Sequence, residues 1–297
     1  MFQRVIRQKF FIVLLALLLP VAAMAQMQKH STVFQGEERE YWLYLPENAN
    51  LQTPLVILLH GHGGKAEGYR PEMAALAEKE GFALCLPQGL KDSKVDKTGW
   101  NVGYPVQEGL VRDDISFICY LRQYLTREYG IAEKNAFLCG MSNGGEVCYI
   151  MAYRHPEVFN AIASVAGLTM QWLYKGYRPS APVAFMEVHG TADTTSYWEG
   201  DPFNTGGWGE YISVPVAVAT VVSASRCTYE KKEVLPKLGE NANTVVLHRY
   251  LGCDDVRNGG PAAEVRLYEV QGGKHSWALK DLDTCAEIWS FFKTYLR

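Results

Sequence analysis

Three stretches carry side chains able to act on an acyl group: Gly140-Met141-Ser142-Asn143-Gly144, His189-Gly190-Thr191-Ala192-Asp193 and Gly272-Gly273-Lys274-His275. A serine hydroxyl is a weak nucleophile until a neighbouring base takes its proton and a carboxylate orients that base. Gly-x-Ser-x-Gly is the pattern of a tight strand-to-helix turn that lifts a serine clear of a sheet. Residues 136–139 read as the strand entering this turn and residues 144–154 as the helix leaving it, ended by His155-Pro156. Ser142 is therefore the expected nucleophile, at a helix N-terminus that favours developing negative charge.

On such a sheet the partners follow the serine in the order acid, then histidine. Of the seven histidines, His60, His62, His155 and His189 lie at or before the acid position, His30 is near the terminus and His248 is inside a strand pattern. His275, in the turn after residues 265–270, is the expected base. Asp193, just past the strand pattern at 183–188, is the expected acid; Asp201 is its rival, and Asp254 and Asp255 follow the wrong strand. The tetrahedral oxyanion needs N–H donors, expected from Asn143 and from His62 in the turn His60-Gly61-His62-Gly63-Gly64, with Gly63 as second choice. His60 and His62 could also be read as metal ligands, but a His-x-His pair alone is a poor site, so no metal and no cofactor is expected. Trp100 and Trp277 are expected to border the site. Trp198 and Trp208, in the glycine-rich aromatic stretch 194–213, are expected to form a ring platform in a functional loop or lid. Asp113 and Asp114 read as a helix cap and a loop tie.

The elements that must hold these residues alternate between strand and helix, which implies a mainly parallel sheet covered on both faces. Strand patterns fall at 40–45, 55–59, 82–86, 136–139, 161–166, 183–188, 245–251 and 265–270. Helical periodicity falls at 71–80, 113–129, 144–154 and 214–225, and in a last helix opened by Thr284 and Glu287 at capping-box spacing. Ahead of them, Arg4, Arg7 and Lys9 precede an apolar run over 10–19, Pro20 and the small-x-small Ala23-Met24-Ala25. That is a signal peptide over residues 1–25, and its apolar run reaches about 15 Å, half a bilayer core. The mature chain, residues 26–297, is expected as one domain, secreted or periplasmic, without stable membrane association. The leader holds three of the 29 basic residues and none of the acidic ones, so its removal takes the net charge from −3 to −6. A mildly acidic chain without a Lys/Arg cluster gives no reason to expect a nucleic-acid partner. Of seven cysteines, Cys85, Cys119, Cys139 and Cys148 fall in apolar patterns, Cys285 is unassigned, and Cys227 and Cys253, in polar surroundings, are the pair to bridge.

The ordered set formed by these motifs with Pro87-Gln88-Gly89, Gly99-Trp100-Asn101 and Ser276-Trp277 resembles the polyhydroxybutyrate depolymerase-like esterases. These belong with the feruloyl and acetylxylan esterases of the first carbohydrate esterase family. The resemblance runs over about residues 38–296 and implies an α/β-hydrolase fold and the triad Ser142, Asp193, His275. Cys227 and Cys253 also look like a disulfide common in that family. Two departures stand out: Lys274 beside His275, where a third glycine is more usual, and the long aromatic stretch after Asp193. The function implied is a serine esterase that deacylates plant cell-wall polysaccharide, foremost a feruloyl esterase acting on a polysaccharide-linked ester. Alternatives are an acetylxylan esterase, a polyhydroxyalkanoate depolymerase-like esterase or, from another class, a carbohydrate-binding scaffold without turnover.

Overall fold

The computed structural model describes residues 27–92, 94–256 and 260–297, so the leader expected over residues 1–25 lies outside the described residues. In chain order the strands are β1 (Gln28–Phe34), β2 (Glu37–Tyr44), β3 (Leu55–Leu59), β4 (Ala83–Pro87), β5 (Lys91–Asp92), β6 (Lys97–Thr98), β7 (Ala136–Met141), β8 (Ala161–Val165), β9 (Thr169–Met170), β10 (Phe185–Gly190), β11 (Tyr211–Ile212), β12 (Tyr229–Val234), β13 (Thr244–Leu251) and β14 (Val265–Gln271). The α-helices are α1 (Pro71–Glu80), α2 (Asp114–Tyr129), α3 (Asn143–Arg154), α4 (Gln171–Gly176), α5 (Val214–Ala224) and α6 (Thr284–Lys293).

Among the described residues ten strands form one sheet in the order β1-β2-β4-β3-β7-β8-β10-β14-β13-β12. The six from β4 to β14 run parallel. Antiparallel pairs close the two sides, β2 with β1 and β13 with β12. Successive residues of a strand face opposite ways. Leu55, Ile57 and Leu59 of β3 therefore join one core, shared with α2, α3 and α5. Val56 and Leu58 join a second, shared with α1 and α6. Burial on both faces is why β3 reads as an unbroken aliphatic run rather than an alternating one.

Some expectations are corrected here. The strands β1 and β12 escape the hydrophobic pattern because they are edges. β12 is exposed along its whole length, and its Glu230, Lys231, Lys232 and Glu233 blunt that edge against further pairing. β1 joins β2 through Gln35-Gly36, both at positive φ, the requirement of a two-residue hairpin. The last helix is capped by Asp283, whose side chain accepts the Ala286 N–H, and not by Thr284, whose buried hydroxyl donates to the Trp277 carbonyl. Cys227 and Cys253 are bonded, tying the chain after α5 to the end of β13. The other five cysteines are free; Cys119 is half-buried and the rest are buried. Among the described residues no helix is long and apolar enough to cross a membrane.

Candidate active site

Ser142 sits between β7 and α3 at φ +55°, a region a non-glycine residue occupies at a cost of about 1–3 kcal/mol. Its N–H is pinned to the Val165 carbonyl of β8 at 2.8 Å. The flanking glycines are required by contact: a Cβ on Gly140 would stand 2.6 Å from the carbonyl carbon of Gly144. His275 reaches the serine from the turn after β14, with Nε2 3.0 Å from Ser142 Oγ. Its Nδ1 lies 2.7 Å from Asp193 Oδ2, in the turn after β10. A carboxylate at Nδ1 fixes the proton there and leaves Nε2 to accept one. All three residues thus stand at the C-terminal ends of parallel strands.

The acid and base turns are stitched to each other. The Gly272 N–H donates to Thr191 Oγ1 at 2.8 Å and the Ala192 N–H to the Gly273 carbonyl at 2.9 Å. The backbones approach so closely that a Cβ on Gly190 would lie 2.2 Å from the Gly273 oxygen. Burial pushes the Asp193 carboxyl up, but the hydrogen bond from His275 and the Thr195 and Ser196 N–H groups outweigh it and hold the carboxyl below its ordinary value. Asp201, the rival acid, is spent elsewhere: its carboxylate accepts the Thr205 and Gly206 N–H groups and organises the aromatic loop.

Opposite Ser142 lies the turn after β3. Its Gly63 N–H donates to the Thr98 carbonyl at 2.7 Å, which removes the second-choice oxyanion donor. Among the described residues neither the His62 nor the Asn143 N–H has a protein acceptor. His60 is no ligand candidate, because both its ring nitrogens are engaged: Nδ1 at 2.7 Å from the Gly61 carbonyl, Nε2 at 2.9 Å from the Gly89 N–H. Burial lowers the pKa of both His60 and His62, favouring the neutral rings. Among the described residues no group of three His, Cys, Asp or Glu side chains is placed to hold a metal ion.

Three buried ionisable groups support the site: Glu187 and Glu146, which were not singled out from the sequence, and His189, which was weighed only as a base. His189 Nδ1 is 2.9 Å from Glu187 Oε1, its Nε2 2.8 Å from the Ser196 carbonyl and 3.6 Å from Asp193 Oδ2. Burial pushes His189 down, but the Glu187 carboxylate prevails and its pKa is raised, so a cation is favoured behind Asp193. Glu146, one turn along α3 from Ser142, accepts the Tyr104 hydroxyl at 2.7 Å and is raised to about 8, chiefly by burial. The spacings carried the signal: Glu187 and His189 are two apart on one strand face, and Glu146 is four residues from Ser142 on a helix.

The profile of the esterase family described as "Esterase PHB depolymerase" matches residues 39–197, a span that takes in Ser142, Asp193 and the turn at 60–64. The chain belongs to this family. Feruloyl esterase B of Neurospora crassa is 26% identical over 131 residues, 43% of each chain. A bifunctional acetylxylan esterase/xylanase of Neocallimastix patriciarum is 26% identical over 161 residues, 54% of this chain and 22% of the other. The matches span about half the length of a further curated relative and between 22% and 63% of the others. A ferulic acid esterase of Anaeromyces mucronatus, solved with ferulic acid, superposes with a TM-score of 0.57 at 17% identity, over 91% of this chain and 90% of that one. That is a likeness of fold, and it makes the sheet described above an α/β-hydrolase sheet.

Within this esterase-family scaffold the four tryptophans divide. Trp208 is half-buried, 5.4 Å ring to ring from His62 and 5.2 Å from Tyr104. Trp198 packs 6.1 Å from His189, behind the acid. Trp277 is 5% exposed and donates to the Tyr69 hydroxyl. Trp100 is a correction: it is fully buried, with Nε1 donating to the His60 carbonyl at 2.8 Å, so no ring face is left for a substrate. The Gly99-Trp100-Asn101 loop is structural, held by Asn143 Oδ1 on the Trp100 N–H and by Asp114 Oδ2 on the Asn101 N–H. Asp113 caps α2 through the Ser116 N–H. The stretch 194–213 is ordered by Asp201 and by β11 pairing with β9.

Proposed function

We propose that the protein is an exported serine esterase that removes acyl groups from a polysaccharide, foremost feruloyl groups. The observation that carries the reading is the unbroken hydrogen-bonded line Ser142–His275–Asp193 beside two N–H groups that have no protein acceptor among the described residues. In this reading His275 Nε2 takes the Ser142 proton as Oγ attacks the ester carbonyl, and Asp193 stabilises the imidazolium that forms. The His62 and Asn143 N–H groups receive the oxyanion, each contributing about 3–4 kcal/mol to the transition state. The alcohol leaves with the proton from His275, and a water deprotonated by the same ring releases the acyl group.

Family membership supports an ester substrate, and the two relatives named above are by name a feruloyl esterase and an acetylxylan esterase/xylanase. The half-open Trp208 ring beside His62 favours an aromatic acyl group, since it offers a stacking face near the proposed oxyanion donors. The leader read at residues 1–25 supports export.

The test is release of ferulate from methyl ferulate and of acetate from acetylated xylan, by wild type and Ser142→Ala, with fluorophosphonate labelling of Ser142. Ferulate release abolished in the variant is the expected result. Acetate release alone moves the substrate to the acetyl ester. No turnover with an unlabelled Ser142 refutes the esterase reading.

A further inference from the structure

Beside the triad, away from the aromatic loop, lies a cavity of about 730 Å³. Its wall includes Met141, which precedes Ser142, and Lys274 and Ser276, which flank His275. Its wall also holds Arg70, Lys280, Trp277 and Asp281. A pocket of this size is in the usual range for a small-molecule site.

Its charge is opposite to that of the chain. The mature protein carries an excess of acid, and the buried cations Arg39 and Arg266 are paired, with Asp114 and Glu264. Among the described residues Arg70, Lys274 and Lys280 have no ion-pair partner. The one carboxylate in the wall, Asp281, is taken by Asn243, whose N–H and Nδ2 both donate to it, at 2.6 and 3.1 Å. Arg70 is held in place at a cost: its backbone is at φ +55°. Its guanidinium lies 5.6 Å from the Tyr69 ring and 5.5 Å from the Trp277 ring. Its Nε is buried without an acceptor. A guanidinium on the cavity wall, backed by two aromatic rings and without an ion-pair partner, suits a planar bidentate acceptor.

The geometry points to an anion subsite formed by Arg70, Lys274 and Lys280, which holds a carboxylate carried by the ester substrate close to the scissile bond. It rests on the esterase reading above and adds a substrate class: esters that bear an acid group. The carboxylate has two possible sources, a uronic acid in the sugar part or a free acid at the far end of the acyl chain.

The experiment uses the mature chain and two matched substrate pairs. One pair is 4-nitrophenyl butyrate and 4-nitrophenyl hemisuccinate, with the acid in the acyl group. The other is acetylated methyl glucoside and acetylated methyl glucuronoside, with the acid in the sugar. The readout is the anionic-to-neutral ratio of kcat/KM, in which changes at Ser142 or His275 cancel because both substrates use them. In Arg70→Gln/Lys274→Gln/Lys280→Gln the ratio is expected to fall about tenfold for the pair whose acid reaches the subsite, as three partly exposed charge contacts allow. It falls similarly when salt is raised from about 0.01 to 1 M. Where the triple variant folds poorly, Lys280→Glu at an exposed side chain gives the same direction. Whichever pair responds identifies the source. A ratio unmoved by variants and salt in both pairs, with neutral esters still turned over, overturns the subsite alone. Absence of turnover on every ester, with Ser142 unlabelled, overturns it together with the esterase reading.

Discussion

Glu146→Gln should make the protein more stable relative to wild type as the pH rises. Glu146 is 1% exposed, lies one turn below Ser142 on α3, and its carboxyl is pushed up to about 8 from an ordinary 4.5, above all by burial. The folded state therefore holds a proton that the unfolded chain has released between those two values. Stability from such a group is complete below about 4.5, falls through the window, and is fully lost above about 8. The window from 4.5 to about 8, at about 1.4 kcal/mol per pH step of one, gives a total of about 5 kcal/mol. Glutamine keeps the shape and the carbonyl that accepts the Tyr104 hydroxyl but does not titrate. All other groups are common to both proteins and cancel in the difference.

The assay is urea unfolding of both proteins at about pH 5, 7 and 9, comparing midpoints at equal slope. The stability difference should move in favour of the glutamine variant by about 4 kcal/mol from the lowest pH to the highest. The chemistry gives a second readout. An ionised carboxylate one turn from the Asn143 N–H opposes the negative charge that forms there, so wild-type kcat should drop above about pH 8 where the variant's does not. A stability difference that is flat with pH, or that shrinks as pH rises, refutes the claim that Glu146 is protonated in the working enzyme.

Other outcomes follow from single contacts. Asp193→Asn removes the acceptor at His275 Nδ1, so kcat on methyl ferulate should fall about 10³–10⁴-fold with little change in KM; a loss under tenfold would exclude Asp193 as the orienting acid. Trp208→Ala should raise KM for methyl ferulate several-fold more than for an acetyl ester, because only the aromatic acyl group uses the ring beside His62; equal changes would place the acyl group elsewhere. Opening the Cys227–Cys253 bridge, which spans 26 residues, by Cys→Ser at both positions should cost about 3 kcal/mol in urea unfolding. An unchanged midpoint would mean that β13 and β14 hold that segment unaided.

The candidate site was more legible in the sequence than the residues that tune it. Gly140-Met141-Ser142-Asn143-Gly144 is local: the strand, the turn and the helix that present the serine are all within twenty residues, and the glycines follow from contact at the turn. Asp193 and His275 follow from chain order on a parallel sheet, which confines useful groups to strand ends. Trp100 and Trp208, both aromatics in loops, look alike on the page. Only the packing separates them: Trp100 is fixed by a hydrogen bond to His60 and closed off, and Trp208 is left half-open on the next layer. The charged edge β12 was invisible because hydrophobic periodicity reports burial, and nothing on that strand is buried.

The same reasoning explains why Glu146, Glu187 and His189 were passed over. A buried acid inside an apolar run breaks the pattern without saying why: the partner of Glu146, Tyr104, comes from another segment, and the Glu187–His189 pair on β10 shows its purpose only where it meets the Asp193 turn. Each is expensive to bury, and each lies a single step from an atom of the proposed reaction. Glu146 stays neutral beneath the oxyanion donors, where a charge would oppose catalysis. The Glu187–His189 pair favours a cation at His189, 3.6 Å from Asp193 Oδ2. Taken together, the buried groups place a neutral acid beneath Asn143, where a negative charge would oppose an oxyanion at Ser142, and a raised-pKa histidine 3.6 Å from the Asp193 carboxylate, where it favours the ionised acid.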